Sequence, residues 1–368
     1  MALRDSQKDM HEHSAKKVEL LRHYLNAYLS VLAHDRYTDA ICCHDLFCGE
    51  GIYPNGGKGS PIVFNECLSA FAAEHREKHF SLHFNDQDSK KVENVLSRIG
   101  PATQRPNNFV VTSSTLPFDE VVQNTKDALV KMGKGKAFLF IDPYGYKEIK
   151  PQLIKELMKG GKSEVLLFLP TQPMFRFSKK GTPEALSEFL EGIHQGRTFP
   201  AVGSITDYIA YIVNGFRLLM PDCFVDSFTI RKDPQTAFCL FFFTSNLKGA
   251  EKMIEAKWKL DEQQGEGWSY RDSGYDESLF GEPFIHPLQK LLEGILRTGP
   301  QTNAAIYEAT VRAGFLPKHA KQILSALQDH GRIQVQPDGV RKGTFYLNYQ
   351  ATHSTDLAKR ENIRIILS

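Results

Sequence analysis

A glycine-containing turn follows the first apolar strand of the sequence. The run DLFCGEG occupies residues 45–51. Glycines at a strand-to-helix turn let the backbone pass close to a bound nucleoside, where a side chain would fill the space. The pattern therefore predicts a nucleoside-binding turn formed by Asp45, Phe47, Gly49 and Gly51. A turn without a ligand is the alternative, because two glycines after a strand are common.

An acidic residue ends the next apolar strand. Asp86 closes the run FND at residues 84–86. In nucleotide-binding sheets an acidic side chain at this place accepts hydrogen bonds from ribose hydroxyls. We therefore expect Asp86 to bind the ribose of the same nucleoside, although aspartate is also frequent at the ends of strands.

A third motif, FIDPYG at residues 140–145, follows the fourth apolar strand. An acidic or amide residue followed by proline and an aromatic residue is the pattern that holds a target amine in amino-methyltransferases. There the carboxylate accepts a hydrogen bond from the amine, and the ring stacks on a flat substrate. The motif predicts these catalytic roles for Asp142 and Tyr144, with a plain Asp-Pro turn as the alternative. The single proline leaves the target atom open.

Short apolar runs alternate with helix-like segments along the first two thirds of the chain, as expected for a parallel sheet with right-handed crossovers. An amphipathic helix is predicted before the first strand, at residues 14–32. The link between the last two strands is too short for a parallel crossover, so they must form a hairpin. The strands are predicted at residues 40–47, 81–85, 109–112, 136–141, 164–170, 225–232 and 237–245. The predicted fold is therefore an α/β, Rossmann-like sheet that ends in an antiparallel hairpin, which is typical of methyltransferases.

These segments resemble the three-Cys-motif partner proteins. The resemblance rests on HSAKKVELLRHYLNAYL, DLFCGEG, GSPIVF, FLFIDPYGY and AFCLFFFTSNLKGAEKMIEAKWKL, and it spans residues 14–260. That bacterial family resembles class I S-adenosylmethionine-dependent methyltransferases and is encoded beside a protein with a three-cysteine, radical-enzyme-like motif. The resemblance implies S-adenosylmethionine as cofactor, with Asp45 facing its amino-acid end and Ser113 and Ser114 near its adenine. It also implies the three-cysteine protein as a partner.

The last third reads as a winged helix-turn-helix domain. Three predicted helices precede two strands, at residues 332–336 and 343–348. Residues 284–350 contain eight Lys or Arg against four Asp or Glu, a net charge of +4. We expect nucleic-acid contacts from Lys318, Lys321, Arg332, Arg341 and Lys342. A protein-interaction module with a solvated charged face is the alternative.

The predicted domain limits follow from these elements and from composition. A methyltransferase domain with its N-terminal helix covers residues 1–262, and a polar linker covers 263–283. The winged-helix domain covers 284–350, and residues 351–368 form a C-terminal tail. The six cysteines show no metal-type spacing, so no metal site is predicted. No signal-like or membrane-spanning apolar stretch occurs, which predicts a cytoplasmic protein without membrane contact.

Together these features predict an S-adenosylmethionine-dependent methyltransferase that acts on nucleic acid, DNA rather than RNA, in modification, repair or defence. The cofactor is expected at residues 45–51 and at Asp86, and the target at Asp142 and Tyr144. The competing hypothesis is a catalytically silent Rossmann-like scaffold that binds nucleic acid or the three-cysteine protein. A metal-dependent hydrolase is disfavoured because no suitable carboxylate cluster occurs.

Overall fold

The computed structural model describes residues 9–179, 181–197, 202–233, 235–269 and 285–368. The chain forms two compact units, each with a hydrophobic core of its own. The N-terminal unit comprises Met1–Asn246 and Glu266–Asp276, and the C-terminal unit comprises Leu247–Gly265 and Glu277–Ser368. Each is described separately below.

An eight-stranded sheet forms the centre of the N-terminal unit. Its strands are β1 (Ala40–Asp45), β2 (His79–Asn85), β3 (Phe109–Ser114), β4 (Lys136–Ile141), β5 (Ser163–Leu169), β6 (Phe224–Asp233), β7 (Thr236–Thr244) and β8 (Gly267–Ser269). They lie in the order β3-β2-β1-β4-β5-β7-β6-β8. Strands β1 to β5 are parallel, and β7 runs antiparallel to both β5 and β6. The predicted Rossmann-like sheet with a terminal hairpin is thereby confirmed.

Among the described residues of this unit, eight helices connect the strands or precede them. They are α1 (Glu12–Ala33), α2 (Ser60–Glu74), α3 (Ser89–Ile99), α4 (Phe118–Lys131), α5 (Pro151–Met158), α6 (Thr171–Lys179), α7 (Glu184–His194) and α8 (Ile205–Leu219). Strand β1 pairs with β2 on one side and β4 on the other, so the chain changes direction across the sheet between them. Ligands of open α/β sheets bind at the carboxyl ends of strands beside such a switch point.

Helix α1 is fixed to the sheet by a buried polar contact as well as by apolar packing. Its Tyr24 hydroxyl donates to the carboxylate of Glu164 on β5, and the Thr244 hydroxyl donates to the other oxygen of that carboxylate over 2.7 Å. Burial raises the pKa of Glu164, while the hydrogen bonds from Tyr24 and Thr244 lower it. A buried carboxylate is tolerated only when its hydrogen bonds are satisfied, so this network defines the position of α1.

The C-terminal unit packs five helices around a small antiparallel sheet. The helices are α9 (Leu247–Leu260), α10 (His286–Arg297), α11 (Asn303–Arg312), α12 (Pro317–Asp329) and α13 (Tyr349–His353). The strands are β9 (Gln301–Thr302), β10 (Ile333–Gln336) and β11 (Arg364–Leu367), in the order β10-β11-β9. The run α10-α11-α12 followed by β10 and β11 is a winged helix-turn-helix arrangement, as predicted.

The predicted limit at residue 262 assigns α9 to the wrong unit. The Tyr307 hydroxyl of α11 donates to Glu251 of α9. The Trp258 indole donates to the Gly314 carbonyl over 3.0 Å, and its ring centre lies 4.3 Å from that of His319. These buried contacts hold α9 to the winged helix. They are invisible in the sequence because α9 directly follows the last long strand of the other unit.

The predicted linker and tail are also wrong in part. Of residues 263–283, the stretch Gly267–Ser269 forms β8, which pairs in parallel with β6; residues 270–283 lie outside the described residues. The predicted tail, residues 351–368, contains β11. This strand takes the place beside β10 that the sequence analysis gave to residues 343–348, and it buries Ile365.

Candidate active site

A cleft of about 220 Å³ opens at the carboxyl ends of β1 and β4 in the N-terminal unit. Its lining comes from the start of α1, the turn after β1 as far as the start of α2, the segment after β4, the end of β5 and strands β6 and β7. Its lining includes Lys17, Phe47, Gly49, Gly51, Asp142, Tyr144 and Phe168. The sheet therefore brings the predicted glycine turn and the predicted Asp-Pro-Tyr motif to one cavity.

The two glycines of the turn have different structural roles. Both have positive φ, +61° at Gly49 and +77° at Gly51, which disfavours other residues. A Cβ at Gly49 would meet no atom within 4 Å, so this position faces open space. A Cβ at Gly51 would lie 2.9 Å from Val95 Cγ2 on α3. Gly49 thus leaves room beside the cleft, whereas Gly51 is needed for close packing of α3.

Asp45, the last residue of β1, carries a fully buried carboxylate. Neither oxygen makes a hydrogen bond of good geometry. Burial raises the pKa of Asp45 to about 7, and the nearby Asp142 carboxylate adds to the rise. The Ser60 hydroxyl, the Phe47 amide and the Lys17 ammonium lower it by less. An orphaned buried carboxylate is costly, and a cationic ligand group would relieve that cost.

Asp86 is nearly fully buried and its carboxylate is engaged within the protein. One oxygen accepts from the Gly49 amide over 3.2 Å and from the Tyr144 hydroxyl over 3.3 Å. The same oxygen lies 3.6 Å from the Lys91 ammonium, and the other accepts from the Asp88 amide over 3.0 Å. Asp86 therefore links the glycine turn directly to the Asp-Pro-Tyr motif.

Asp142 binds a lysine from the N-terminal helix. The Lys17 ammonium donates to Asp142 Oδ2 and lies 4.4 Å from the centre of the Phe168 ring, a cation–π contact. Burial alone would lower the pKa of Lys17, but the Asp142 charge and hydrogen bond, together with Tyr53 and Asp45, outweigh burial, and the pKa is raised. Lys17 is therefore protonated at neutral pH. The site holds an ammonium group between a carboxylate and an aromatic face.

Three other predicted residues lie around the same end of the sheet. Phe47 lines the cleft and stacks on Phe118, with ring centres 5.1 Å apart. Ser113 and Ser114 end β3, opposite Phe84 and Asn85 of β2, and neither is among the residues that line the cleft. The Ser114 hydroxyl donates to Asn85 Oδ1 over 2.7 Å. The adenine contact of Ser113 and Ser114 thus stays a prediction.

The sequence analysis missed Lys17 and Lys91. Lys17 lies one, two and three turns before Leu21, Tyr24 and Tyr28, on the face of α1 that packs against the sheet. A lysine on an otherwise apolar helical face is a signal, because an unpaired buried ammonium is costly. Lys91 lies in the first turn of α3 and is likewise buried. Nothing in its local sequence distinguishes it from the exposed Lys90.

The predicted basic residues of the C-terminal unit fall into two groups. Lys318 and Lys321 lie exposed on α12, and Arg341 is exposed in the segment after β10; within the described chain none of these three forms an ion pair. Arg332 lies 3.3 Å from Glu293, and Lys342 lies 2.6 Å from Asp329. Of the five predicted residues, Lys318, Lys321 and Arg341 are therefore those with no ion pair in the described part of the chain.

The described residues contain neither a metal-type cluster nor a membrane-spanning helix. No group of three or more His, Cys, Asp or Glu side chains among them could hold a metal ion. No described helix is long and apolar enough to cross a membrane.

Comparisons with known proteins gave a family-model match near the C-terminus and a distant structural match. The protein-family model described as "GMT-like wHTH domain" matches residues 259–339. The solved structure "Loganic acid methyltransferase with SAH" is similar over 81% of this chain and 92% of its own, with 9% identity and a TM-score of 0.30. Similarity at that level carries no argument about activity. No curated protein matches the chain.

Proposed function

We propose that this protein is an S-adenosylmethionine-dependent methyltransferase that modifies an amine of a nucleic acid. The observation that carries the proposal is the environment of Asp142. Its carboxylate holds the Lys17 ammonium against the Phe168 ring, in a cleft bordered by the glycine turn. A carboxylate and an aromatic ring that hold one nitrogen in this way can also hold the amine that receives the methyl group.

The residues near the cleft fit the cofactor. The Asp45 carboxylate lacks a good hydrogen-bond partner, and an ammonium group such as that of the amino-acid end would satisfy it. Gly49 leaves open space for a nucleoside, and Asp86 has the chemistry to accept from ribose hydroxyls. We assign Phe47, Gly51, Ser113 and Ser114 to the same site as predicted. When bound, the cofactor supplies the methyl group.

The protein's own groups would position the acceptor. Asp142 accepts a hydrogen bond from the N–H of the amine that receives the methyl group, and so orients the lone pair of that nitrogen. The same carboxylate is a base for the proton that the amine releases. The Tyr144 ring, two-thirds exposed, can stack on a flat acceptor once its hydroxyl is released from Lys91 and Asp86. Because Lys17 occupies Asp142 Oδ2, the acceptor must either displace Lys17 or use the other oxygen.

The winged helix supports nucleic acid as the substrate. Lys318 and Lys321 on α12, which have no ion pair among the described residues, have the charge to contact phosphates. DNA is the expected target because winged helices commonly insert this helix into a major groove. Arg332, Arg341 and Lys342 complete the proposed surface. The three-cysteine protein is proposed as a partner from the sequence resemblance alone.

One observation favours a second function, that of a catalytically silent scaffold. Both functional side chains of the Asp-Pro-Tyr motif are already bound within the protein, Asp142 by Lys17 and Tyr144 by Lys91 and Asp86. A protein that no longer transfers methyl groups could keep such contacts for stability.

Binding and transfer measured in sequence separate the two functions. Calorimetry with S-adenosylhomocysteine tests the cofactor site first. A tritium-transfer assay with labelled S-adenosylmethionine then tests DNA, RNA and the three-cysteine protein as acceptors. Labelled nucleic acid supports the proposal. Cofactor binding without a product from any acceptor supports the scaffold, and no binding at millimolar ligand excludes the methyltransferase.

A variant at Asp142 then locates the chemistry. Asp142→Asn keeps the shape and one acceptor oxygen but removes the charge, so we expect kcat to fall ~100-fold while cofactor affinity changes little. The matched control is Asp119→Asn, which neutralises an exposed aspartate paired with Lys150. If Asp142→Asn methylates at the wild-type rate, the acceptor is not held at Asp142.

A further inference from the structure

The Asp86 carboxylate and the Lys91 ammonium form a buried ion pair beside the glycine turn. The two charged groups are 3.6 Å apart, and their side chains are 3% and 7% exposed. Asp86 follows β2, and Lys91 lies on α3, whose N-cap is Asp88. Burying two opposite charges this deeply costs desolvation free energy. That cost is offset where the two charges bind a polar group.

A hydroxyl group already occupies this pair. The Tyr144 oxygen accepts from Lys91 Nζ and donates to Asp86 Oδ2 over 3.3 Å. The Tyr144 residue is 66% exposed, and its ring contacts the Lys91 ammonium, which lies 4.3 Å from the ring centre. The hydroxyl at the tip of the side chain is held by polar contacts that any alcohol could make.

The hydrogen-bond pattern is that of an alcohol between a donor and an acceptor. A hydroxyl can donate one hydrogen bond and accept others, which neither an amine cation nor a carboxylate can do. A sugar hydroxyl would meet the same ammonium and the same carboxylate oxygen. The Gly49 amide donates to that oxygen as well, so a group bound there lies next to the turn that leaves room for a nucleoside.

We infer that Asp86 and Lys91 together form a ribose-hydroxyl site, that Lys91 is a further cofactor-binding residue, and that the Tyr144 hydroxyl stands in for the ribose hydroxyl in the free protein. This inference rests on the proposed function, since it takes the ligand to be the nucleoside cofactor. Cofactor binding then releases Tyr144. The freed ring becomes available to the acceptor only after the cofactor is bound, so binding is ordered, cofactor first.

The direction in which Tyr144→Phe changes the affinity for S-adenosylhomocysteine tests the inference. Tyr144→Phe removes the competing hydroxyl and keeps the ring, so the dissociation constant for S-adenosylhomocysteine should fall about three- to tenfold, the range of one net hydrogen bond. If the Tyr144 hydroxyl instead contacted the cofactor, the same variant would bind more weakly. Lys91→Met should weaken binding at least tenfold and abolish the gain from Tyr144→Phe in the double variant.

The experiment uses the full chain and calorimetry with S-adenosylhomocysteine. Tyr37→Phe is the control, because Tyr37 is also exposed and its hydroxyl accepts from a cationic neighbour, Arg36, over 2.6 Å. The inference is supported if Tyr144→Phe binds S-adenosylhomocysteine more tightly than wild type and Tyr37→Phe does not. Equal or weaker binding by Tyr144→Phe, with a wild type that binds, overturns the inference and leaves the proposed function standing. If neither the wild type nor any of the variants binds S-adenosylhomocysteine, the proposed function is wrong and the inference fails with it.

Discussion

Lys17 and Asp142 are 125 residues apart in the sequence and form an ion pair in the cleft of the N-terminal unit. Their side chains are 11% and 21% exposed. The pair makes the first turns of α1 part of the site, although α1 precedes the sheet in the chain. It also gives Asp142 a counter-charge close to the buried Asp45, whose pKa Asp142 raises and Lys17 lowers.

Removing the lysine should destabilise the fold through the carboxylate left behind. Lys17→Met keeps the length of the side chain but leaves Asp142 without its counter-ion near Asp45. We expect the free energy of unfolding to fall by roughly 1–3 kcal/mol. The double variant with Asp142→Asn should recover most of that loss. Urea unfolding of the single and double variants measures the coupling.

The control for this cycle is Lys150→Met, which breaks an exposed pair with Asp119. It should change stability by less than about 0.5 kcal/mol. Equal destabilisation in the Lys17 single and double variants would mean that the loss comes from the cation–π contact between the Lys17 ammonium and Phe168 rather than from an unpaired charge.

Asp45 should make stability depend on pH. Its pKa, raised by burial from 3.8 to about 7, means that the native state keeps the proton after the unfolded state has lost it. Stability contributed by this group therefore falls as pH rises between those two values and is constant above them. Asp45→Asn cannot ionise, so near pH 8 it should be more stable than wild type by about 1–4 kcal/mol.

The same substitution should weaken binding of S-adenosylhomocysteine, because the proposed partner of the ligand ammonium is lost. The measurement is urea unfolding at several values between about pH 5 and about pH 8, with calorimetry at the upper end. The stability difference between wild type and variant should grow with pH. A difference that does not vary with pH would mean that Asp45 ionises in the folded protein as it does in water.

Local patterns predicted the sheet because each strand carries its own signal. The short link before Thr236 required a hairpin, and the structure has one. The glycine turn and the Asp-Pro-Tyr motif likewise predicted two of the segments that line the cleft. The Lys17–Asp142 and Lys91–Tyr144 contacts could not be predicted in this way, because each joins residues more than fifty positions apart whose proximity only the fold determines.

Helix α9 gives the same lesson for domain limits. Its sequence continues the last strand of the sheet without a break, and only the contacts of Glu251 and Trp258 assign it to the other unit. Likewise β11 was read as a tail, since a strand of four residues has too few positions for an alternating pattern to stand out. Long-range pairing decided both cases.

The helix α9 should be required for an independently folded C-terminal unit. A fragment of residues 247–368 retains the Tyr307 contact with Glu251 and the Trp258 packing on His319. A fragment of residues 284–368 exposes Tyr307 and His319, which are both buried in the structure. We expect the longer fragment to be more stable by at least about 2 kcal/mol, given the buried aromatic surface lost.

Thermal unfolding followed by circular dichroism compares the two fragments. Trp258→Ala in the longer fragment is the matched variant, since it removes the largest of these contacts and leaves the chain length unchanged. Its midpoint should lie between those of the two fragments. Identical midpoints for both fragments would mean that α9 contributes nothing to the winged helix.

The exposed lysines of α12 should carry the nucleic-acid affinity of the C-terminal unit. Lys318 and Lys321 lie one turn apart on that helix, and neither is paired with an acidic group of the described chain. Each phosphate contact that is lost reduces the slope of log affinity against log salt by about one. The Lys318→Ala/Lys321→Ala variant should therefore bind duplex DNA more weakly at low salt, with a slope smaller in magnitude by about two.

Arg312→Ala provides the control, because Arg312 is exposed on α11 but is paired with Glu308 at 2.7 Å. Fluorescence anisotropy with a labelled duplex over a range of salt concentrations gives both slopes, and a single strand of the same sequence tests whether the duplex is preferred. Wild-type affinity and slope in the double lysine variant would mean that α12 does not contact the backbone. The α12 surface would then fit a protein partner better than DNA, since a helix in a groove cannot avoid the phosphates on either side.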